Sequence, residues 1–365
     1  MRKVNMELSV EKLKMQGKAS VFVVDDSLVY RNLLRNAFGQ DSDFRFLGTA
    51  IDGKFALPKI EQLRPDFVIL DVEMPEMNGL DTLKEIRKRS PDTKVIMLSS
   101  LTVEGAKVTL QALELGAIDF ISKPGVDSLG ESGITEVLES LASKIRSLHF
   151  ASGSKFVQEE KVEVRRSQPK VGRGEYSICG IGISTGGPIA LRELLSNISP
   201  DLNGTLVIAQ HMPPLFTNYL AESLSSVSKI KVKEVEDGEK LEKSTAYIAQ
   251  GGKQLEILRG EDGPYARVFS GPEEELCKPS VNILFRSLAK NFADETVAVI
   301  MTGMGEDGYL GMNDLRKNGA YLIAQTAESC TVFGMPSRPV KEGIVNDVLN
   351  IKSIAEKITL LLSRK

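Results

Sequence analysis

Short, continuously apolar runs alternate with amphipathic stretches along most of the chain. Val21-Phe22-Val23-Val24, Phe67-Val68-Ile69-Leu70, Val95-Ile96-Met97-Leu98 and Ile118-Asp119-Phe120-Ile121 are runs of the first kind. Uninterrupted apolar character is expected of strands covered on both faces. A further strand is predicted at 44–50, and a helix at 29–38, with helix-length segments between the other strands. Five such βα units predict a doubly wound parallel sheet whose site lies at the carboxyl ends of its strands. Helical periodicity fades after Leu148, and residues 151–175 are rich in Ser, Gly, Lys, Glu and Arg, the composition of a linker. The pattern then resumes. Strands are predicted at 177–183, 205–209 and 296–301, helices at 191–198, 216–224, 280–291 and 351–362. Tyr247-Ile248-Ala249 and Leu255-Glu256-Ile257-Leu258, with Gly251-Gly252 between them, predict a β-hairpin. The expected organisation is an extension at 1–19, a (βα)5 domain at 20–148, a linker at 149–175 and an α/β domain with a mostly parallel sheet and a hairpin at 176–365.

Composition narrows the function without choosing it. A chain of 365 residues is long for one core, in keeping with two domains. Net charge is −3 with Lys and Arg dispersed, so there is no electrostatic case for nucleic acid. No apolar run approaches the ~20 residues of a membrane helix, so direct membrane insertion is not expected. Residues 1–18 lack the form of a signal peptide and suggest a frayed or weakly helical extension. Three widely spaced cysteines in apolar contexts, Cys179, Cys277 and Cys330, read as reduced core residues of a cytoplasmic protein, with no metal-ligand spacing among them. With only His149 and His211 in the chain, any imidazole chemistry must use one of them.

In the first domain, the predicted strand ends carry Asp25 and Asp26, then Asp71, Ser99 and Lys123. Three carboxylates at one sheet edge repel unless a cation sits among them, and hard oxygen donors suit Mg²⁺. A lysine and a hydroxyl beside that ion can hold phosphoryl oxygens. A surface ion-pair cluster explains any one of these residues but not all five at successive strand ends.

The second domain opens on Cys179-Gly180-Ile181-Gly182-Ile183-Ser184-Thr185-Gly186-Gly187-Pro188, an apolar run ending in a serine among glycines, with a proline to open a helix. Locally this suits either a nucleophile or a phosphate cradle. The dinucleotide fingerprint fails, because its third glycine falls one place late and the next strand ends in Gln210-His211 rather than an acid. Gly182-x-Ser184-x-Gly186 matches a nucleophile elbow, but the order Ser, His, Asp differs from that of α/β-hydrolases. His211 leaves the next strand directly, and Asp307 lies in the Gly-rich turn after the strand at 296–301. Alone, each has a structural reading, as a strand-end histidine and as a helix cap. Together they place serine, histidine and aspartate on neighbouring strand ends, the signature of a triad. His211 would take the serine's proton, Asp307 would fix the ring, and amides of the two Gly turns would receive the oxyanion.

Residues 20 to about 146 resemble a response-regulator receiver domain through Val24-Asp25-Asp26-Ser27, Asp71 to Gly79, Leu98-Ser99-Ser100 and Lys123-Pro124. The resemblance implies phosphorylation of Asp71 by a chemotaxis histidine kinase. It also implies Mg²⁺ on Asp26, Asp71 and the Glu73 carbonyl with Asp25 acting through water, phosphoryl sensing by Ser99 and Lys123, and an aromatic switch at Phe120. Residues 176–363 resemble the chemotaxis protein-glutamate methylesterase (CheB) family. The matching segments are Gly182 to Gly187, Gln210 to Pro214, Lys278 to Val281, Met301 to Gly305 with Asp307-Gly308, and Ala324-Gln325 through Ser329-Cys330 to Pro336. Ile183, Asn282 and Gln254 depart from that pattern. This second resemblance implies Ser184 as nucleophile, His211 as base, Asp307 as orienter and an oxyanion hole of the Thr185 and Met304 amides, with no cofactor for the ester chemistry. The implied substrates are glutamate γ-methyl esters, and specific glutamines, of methyl-accepting chemotaxis receptors. The same chemistry on a receptor-like protein of a non-motility pathway is the alternative. A non-enzymatic, DNA-binding regulator would instead carry a smaller basic effector.

Overall fold

A computed structural model describes residues 17–123, 131–153, 175–272 and 277–363. These divide into two compact units between Ser154 and Lys155. The extension at 1–16, Pro124, and the linker residues 154–174 with Arg165-Arg166 lie outside the described residues.

The first unit follows the alternating pattern. Its strands are β1 (Ala19–Val24), β2 (Phe44–Ala50), β3 (Phe67–Asp71), β4 (Lys94–Ser99) and β5 (Asp119–Ser122). They form one parallel sheet in the order β2-β1-β3-β4-β5. The helices are α1 (Leu28–Gln40), α2 (Gly53–Leu63), α3 (Gly79–Arg89), α4 (Val103–Glu114) and α5 (Glu131–Gly153). Ser27, Asp52, Asn78 and Thr102 cap the first four through side-chain oxygens, each satisfying an amide that has no partner within the helix. Every residue of β1 and β3 is buried, as their unbroken apolar runs require. α5 extends past Leu148, where the periodicity fades. The Leu148 carbonyl accepts from Lys94 Nζ, and the His149 ring lies 6.4 Å from that of Phe67. Tertiary contacts thus hold a helical turn that lacks an apolar stripe, and His149 is a packing residue.

The second unit is built on a seven-stranded parallel sheet ordered β14-β13-β12-β6-β7-β9-β8. The central strands are β6 (Ile178–Ile183), β7 (Thr205–Gln210) and β12 (Thr296–Ile300). The outer ones are β8 (Lys231–Glu234), β9 (Thr245–Ile248), β13 (Tyr321–Gln325) and β14 (Asp347–Leu349). Helices α6 (Gly187–Asn197), α7 (Phe216–Ser225), α8 (Val281–Asn291), α9 (Tyr309–Lys317), α10 (Ser337–Lys341) and α11 (Ile351–Leu362) complete it.

The hairpin is not where the sequence pattern put it. Tyr247 and Ile248 lie in β9, buried throughout and paired in parallel with both β7 and β8. The hairpin joins β10 (Gln254–Gly260) to β11 (Gly263–Phe269), with Gly260 paired to Gly263 across a two-residue Glu261-Asp262 turn. An apolar run buried on both faces belongs inside a sheet, and a tight acid-containing turn before glycine is the stronger hairpin signal.

Gly180 and Gly182 serve packing rather than turning, because both lie within β6. A Cβ on Gly180 would stand 2.6 Å from Leu288 Cδ1, and one on Gly182 would overlap Val281. The bare strand therefore lets α8 settle against it, with Phe285 fully buried beneath. Truncating that ring, Phe285→Ala, is expected to destabilise the second unit by about 3–5 kcal/mol. Denaturant unfolding of the full chain should show its transition moving to lower denaturant while the transition of the first unit stays in place.

Candidate active site and phosphoacceptor site

In the second unit, β12, β6 and β7 are adjacent and parallel. Successive connections run to opposite sides of β6, which makes its carboxyl end a topological switch point, where such sheets open a crevice. Ser184 follows β6, His211 follows β7, and Asp307 lies in the turn between β12 and α9.

Asp307 is the most tightly held of the three. The His211 ring shares a hydrogen bond with its Oδ2 at 2.8 Å. The Val281 amide donates to Oδ2 at 2.7 Å, and the Asn282 amide donates to Oδ1 at 2.9 Å. The Gly308 amide and the Ser280 hydroxyl also donate to Oδ1. The first two amides open α8, so the carboxylate occupies the positive end of a helix. Burial pushes the Asp307 carboxyl up, but His211 and these amides outweigh it and hold it below the usual carboxylate range. Burial pushes the His211 ring down. Its hydrogen bonds to Asp307 and to the Cys277 thiol prevail, and its pKa is raised to about 9.

Ser184 is positioned through its backbone. Its amide donates to the Thr302 carbonyl at 2.9 Å, and its own carbonyl accepts from the Gly187 amide at 2.7 Å. Gln210 bridges the two strand tips, its Nε2 donating to the Ser184 carbonyl at 3.1 Å and to the His211 carbonyl at 3.0 Å. Thr302 ties the turn after β12 to the serine turn, its hydroxyl donating to the Thr185 carbonyl at 2.9 Å. The Ser184 hydroxyl itself makes no hydrogen bond among the described residues, an arrangement common in sites that tighten only around substrate.

The backbone beside the serine is similarly open. The amides of Thr185 and Met304 donate to no protein group among the described residues. Gly303 passes so close that a Cβ on it would stand 2.7 Å from Ser184 Cβ, which brings the turn carrying the Met304 amide alongside the hydroxyl. Chemically, the arrangement offers a hydroxyl, a base on the next strand, a carboxylate fixing that base, and two free N–H groups for an oxyanion.

Four positioning residues were not legible from motif reading. Gln210 and Thr302 stood inside recognised segments, and only tertiary geometry shows what their side chains reach. Gln254, one of the departures from the family pattern, donates from Nε2 to the Cys277 carbonyl and accepts the Ser280 amide at Oε1. Asn282, another departure, accepts the Gly311 amide at its side-chain oxygen. Both side chains therefore brace the segment that anchors Asp307.

In the first unit, the carboxylates of Asp25, Asp26 and Asp71 offer oxygens within 4.8 Å of one another. Asp25 and Asp71 are buried, and Asp26 is exposed. Lys123 Nζ lies 2.9 Å from Asp25 Oδ2 and 2.7 Å from Asp71 Oδ2, with the Tyr30 ring 4.7 Å beneath the ammonium. Burial raises the Asp71 carboxyl to about 6 against the pull of Lys123, with Asp25 adding repulsion. One ammonium among three acids leaves negative charge uncompensated, and the all-oxygen donor set fits a hard divalent cation. The Glu73 carbonyl accepts no protein hydrogen bond among the described residues, while its carboxylate accepts from the Ser100 hydroxyl at 3.1 Å. Ser99 and Lys123 are linked at the strand ends, the Lys123 amide donating to the Ser99 carbonyl at 2.7 Å. Phe120 is buried in β5.

No described helix is long and apolar enough to cross a membrane. The family model for the response regulator receiver domain matches residues 21–131, and that for CheB methylesterase matches 179–358. A protein-glutamate methylesterase/protein-glutamine glutaminase of Lawsonia intracellularis is 39% identical over 354 residues, covering 94% of this chain and 99% of that protein. One so named from Bacillus subtilis is 40% identical over 354 residues, with the same coverage. The crystal structure of the Thermotoga maritima CheB methylesterase catalytic domain is similar to the second unit. It has a TM-score of 0.50 and 36% identity, and covers 51% of this chain and 98% of that one. The chain belongs to the CheB methylesterase family and carries a response-regulator receiver domain ahead of its methylesterase domain.

Proposed function

We propose that this protein is a phosphorylation-regulated protein-glutamate methylesterase and protein-glutamine deamidase acting on methyl-accepting chemotaxis receptors in the cytoplasm. The observation that carries the reading is the Asp307–His211 hydrogen bond on the strand ends flanking Ser184. The names borne by the relatives supply the substrate class.

In this reading Ser184 Oγ attacks the ester carbonyl carbon as His211 takes its proton, since a neutral hydroxyl is otherwise a poor nucleophile. Asp307 stabilises the imidazolium and fixes the ring's tautomer. The amides of Thr185 and Met304 receive the oxyanion, preorganised by the Gly303 turn. Collapse of the tetrahedral intermediate expels methanol, which leaves with the proton from His211. Water, deprotonated by the same ring, then releases glutamate from the acyl-enzyme. A glutamine side chain would follow the same course with ammonia as the leaving group. Each turnover on an ester creates a carboxylate on the receptor.

The receiver would accept a phosphoryl group from a histidine kinase on Asp71. Asp26, Asp71 and the Glu73 carbonyl would hold Mg²⁺, with Asp25 contributing through water. The ion would supply compensation of phosphoryl charge. Lys123 and Ser99 stand at the adjoining strand ends to meet the new oxygens, and Phe120 lies in β5 two positions before Ser122, the partner of Ser99.

Three outcomes are expected. Ser184→Ala should lower methanol release from methylated receptor by at least about 10³-fold, and retained hydrolysis would remove Ser184 from the role of nucleophile. The working form of His211 is the neutral ring, and its raised pKa keeps it protonated at neutral pH. The value of kcat/KM should therefore climb about tenfold per pH unit from pH 6 and level off only near the raised pKa of the ring; a profile already flat at pH 7 would contradict this. Asp71→Asn should abolish stimulation of the esterase by a small-molecule phosphodonor, and stimulation equal to that of the unaltered protein would sink the control scheme.

A further inference from the structure

Cys277 stands at the edge of the active site and takes no part in the hydrolysis described above. Its Sγ, a ring nitrogen of His211 and a carboxylate oxygen of Asp307 lie within 4.8 Å of one another. The placement is fixed from below. Gln254 Nε2 donates to the Cys277 carbonyl at 2.8 Å while its Oε1 accepts the Ser280 amide at 2.7 Å. The thiol is thereby braced on the same short segment that leads into the amides anchoring Asp307.

Imidazole, thiol and carboxylate together suit either a soft cation or an activated thiol. Asp307 decides between them. Its two oxygens already accept from three backbone amides, the Ser280 hydroxyl and the His211 ring. A carboxylate has about four lone-pair positions, so none remains for a metal. What is left is a half-buried thiol beside an imidazole. The other two cysteines lack this combination. Cys179 is fully buried in β6, and burial pushes its thiol far up. Cys330 is pushed up to about 12, by burial first and then by Glu328. The thiolate is the reactive form of a cysteine, and Cys277 is the cysteine whose sulfur has an imidazole beside it.

We propose that Cys277 is an oxidation site for peroxides, and that its conversion to sulfenic acid switches off the hydrolase by engaging His211. The switching part rests on His211 being the catalytic base; the reactivity of the thiol does not. Beside the protonated ring the Cys277 thiol gives its proton to solvent, from which the ring is later reprotonated, and the thiolate attacks one oxygen of hydrogen peroxide. An S–O bond forms as the O–O bond breaks, and the departing hydroxide takes the proton from His211 as water. Sulfur is oxidised and peroxide reduced. The added oxygen then sits beside the ring, as a hydrogen-bond partner that competes with Ser184. Two equivalents of a small thiol return the cysteine, through a mixed disulfide.

The test uses the full chain exposed to hydrogen peroxide, with sulfenic acid trapped by a cyclic 1,3-diketone and located by peptide mass spectrometry. Cys277 should be trapped at least ~10-fold faster than Cys179 or Cys330, and His211→Ala should slow its trapping. Methanol release from methylated receptor should fall in step with Cys277 oxidation and recover on thiol reduction, while Cys277→Ser should keep its own starting activity through the same treatment. Trapping at Cys277 no faster than at Cys330 would overturn the site. Equal inactivation of Cys277→Ser and unaltered protein would overturn the switch. A chain trapped at Cys277 that never hydrolyses methylated receptor upholds the oxidation site and overturns the proposed function instead.

Discussion

The second unit depends on one half-buried carboxylate. Asp307 sits at the start of α8, where two amides of the first helical turn, a hydroxyl and a further turn amide all point at it. These donors favour its charged form, and an anion that is fully hydrogen-bonded becomes a fixed electrostatic feature. The remaining direction faces His211, so the ring is oriented by a group that cannot itself rotate away. Ser184 is brought up from the other side by backbone bonds and by the Gln210 bridge. The acid belongs to the helix as much as to the turn that carries it in sequence.

The two units share an architectural rule and apply it to different chemistry. Each opens its site where connections diverge from a central strand of a parallel sheet. In the first unit that edge gathers acids around one ammonium, a poor place for a proton relay and a good one for phosphoryl and cation charge. In the second it gathers a hydroxyl, an imidazole and a carboxylate among free amides, which suits acyl transfer. Fold alone would not separate these sites; the side chains at the strand ends do.

Much of this was legible in the sequence, for a physical reason. Strands buried on both faces are unbroken apolar runs, so β1, β3, β4, β6, β7 and β12 and the residues just beyond them could be read directly. The displaced hairpin marks the limit of that reading. Tyr247-Ile248 has the composition of a strand, but only the arrangement of its neighbours shows that it pairs in parallel on both sides. Side-chain bridges were less visible still. Nothing local to Gln210, Thr302 or Gln254 announces which carbonyl or amide lies in reach, because the partners are up to 117 positions away. The proximity of Cys277 to His211 was hidden in the same way. In sequence it reads as a reduced core cysteine before Lys278-Pro279, whereas the structure leaves it half-buried.

The missing side chains of β6 have a consequence for how such a site tolerates change. Because α8 rests directly on the backbone at Gly180 and Gly182, the gap between the nucleophile's strand and the helix that grips Asp307 is gauged by two hydrogen atoms. A single methyl group at Gly182 would press on Val281, whose amide holds Asp307, and so acts as a shim. It would tilt the helix, carry the acid with it and detune the ring, although every residue of the triad was left in place. The most sensitive dimension of the site is thus set where no functional group exists at all.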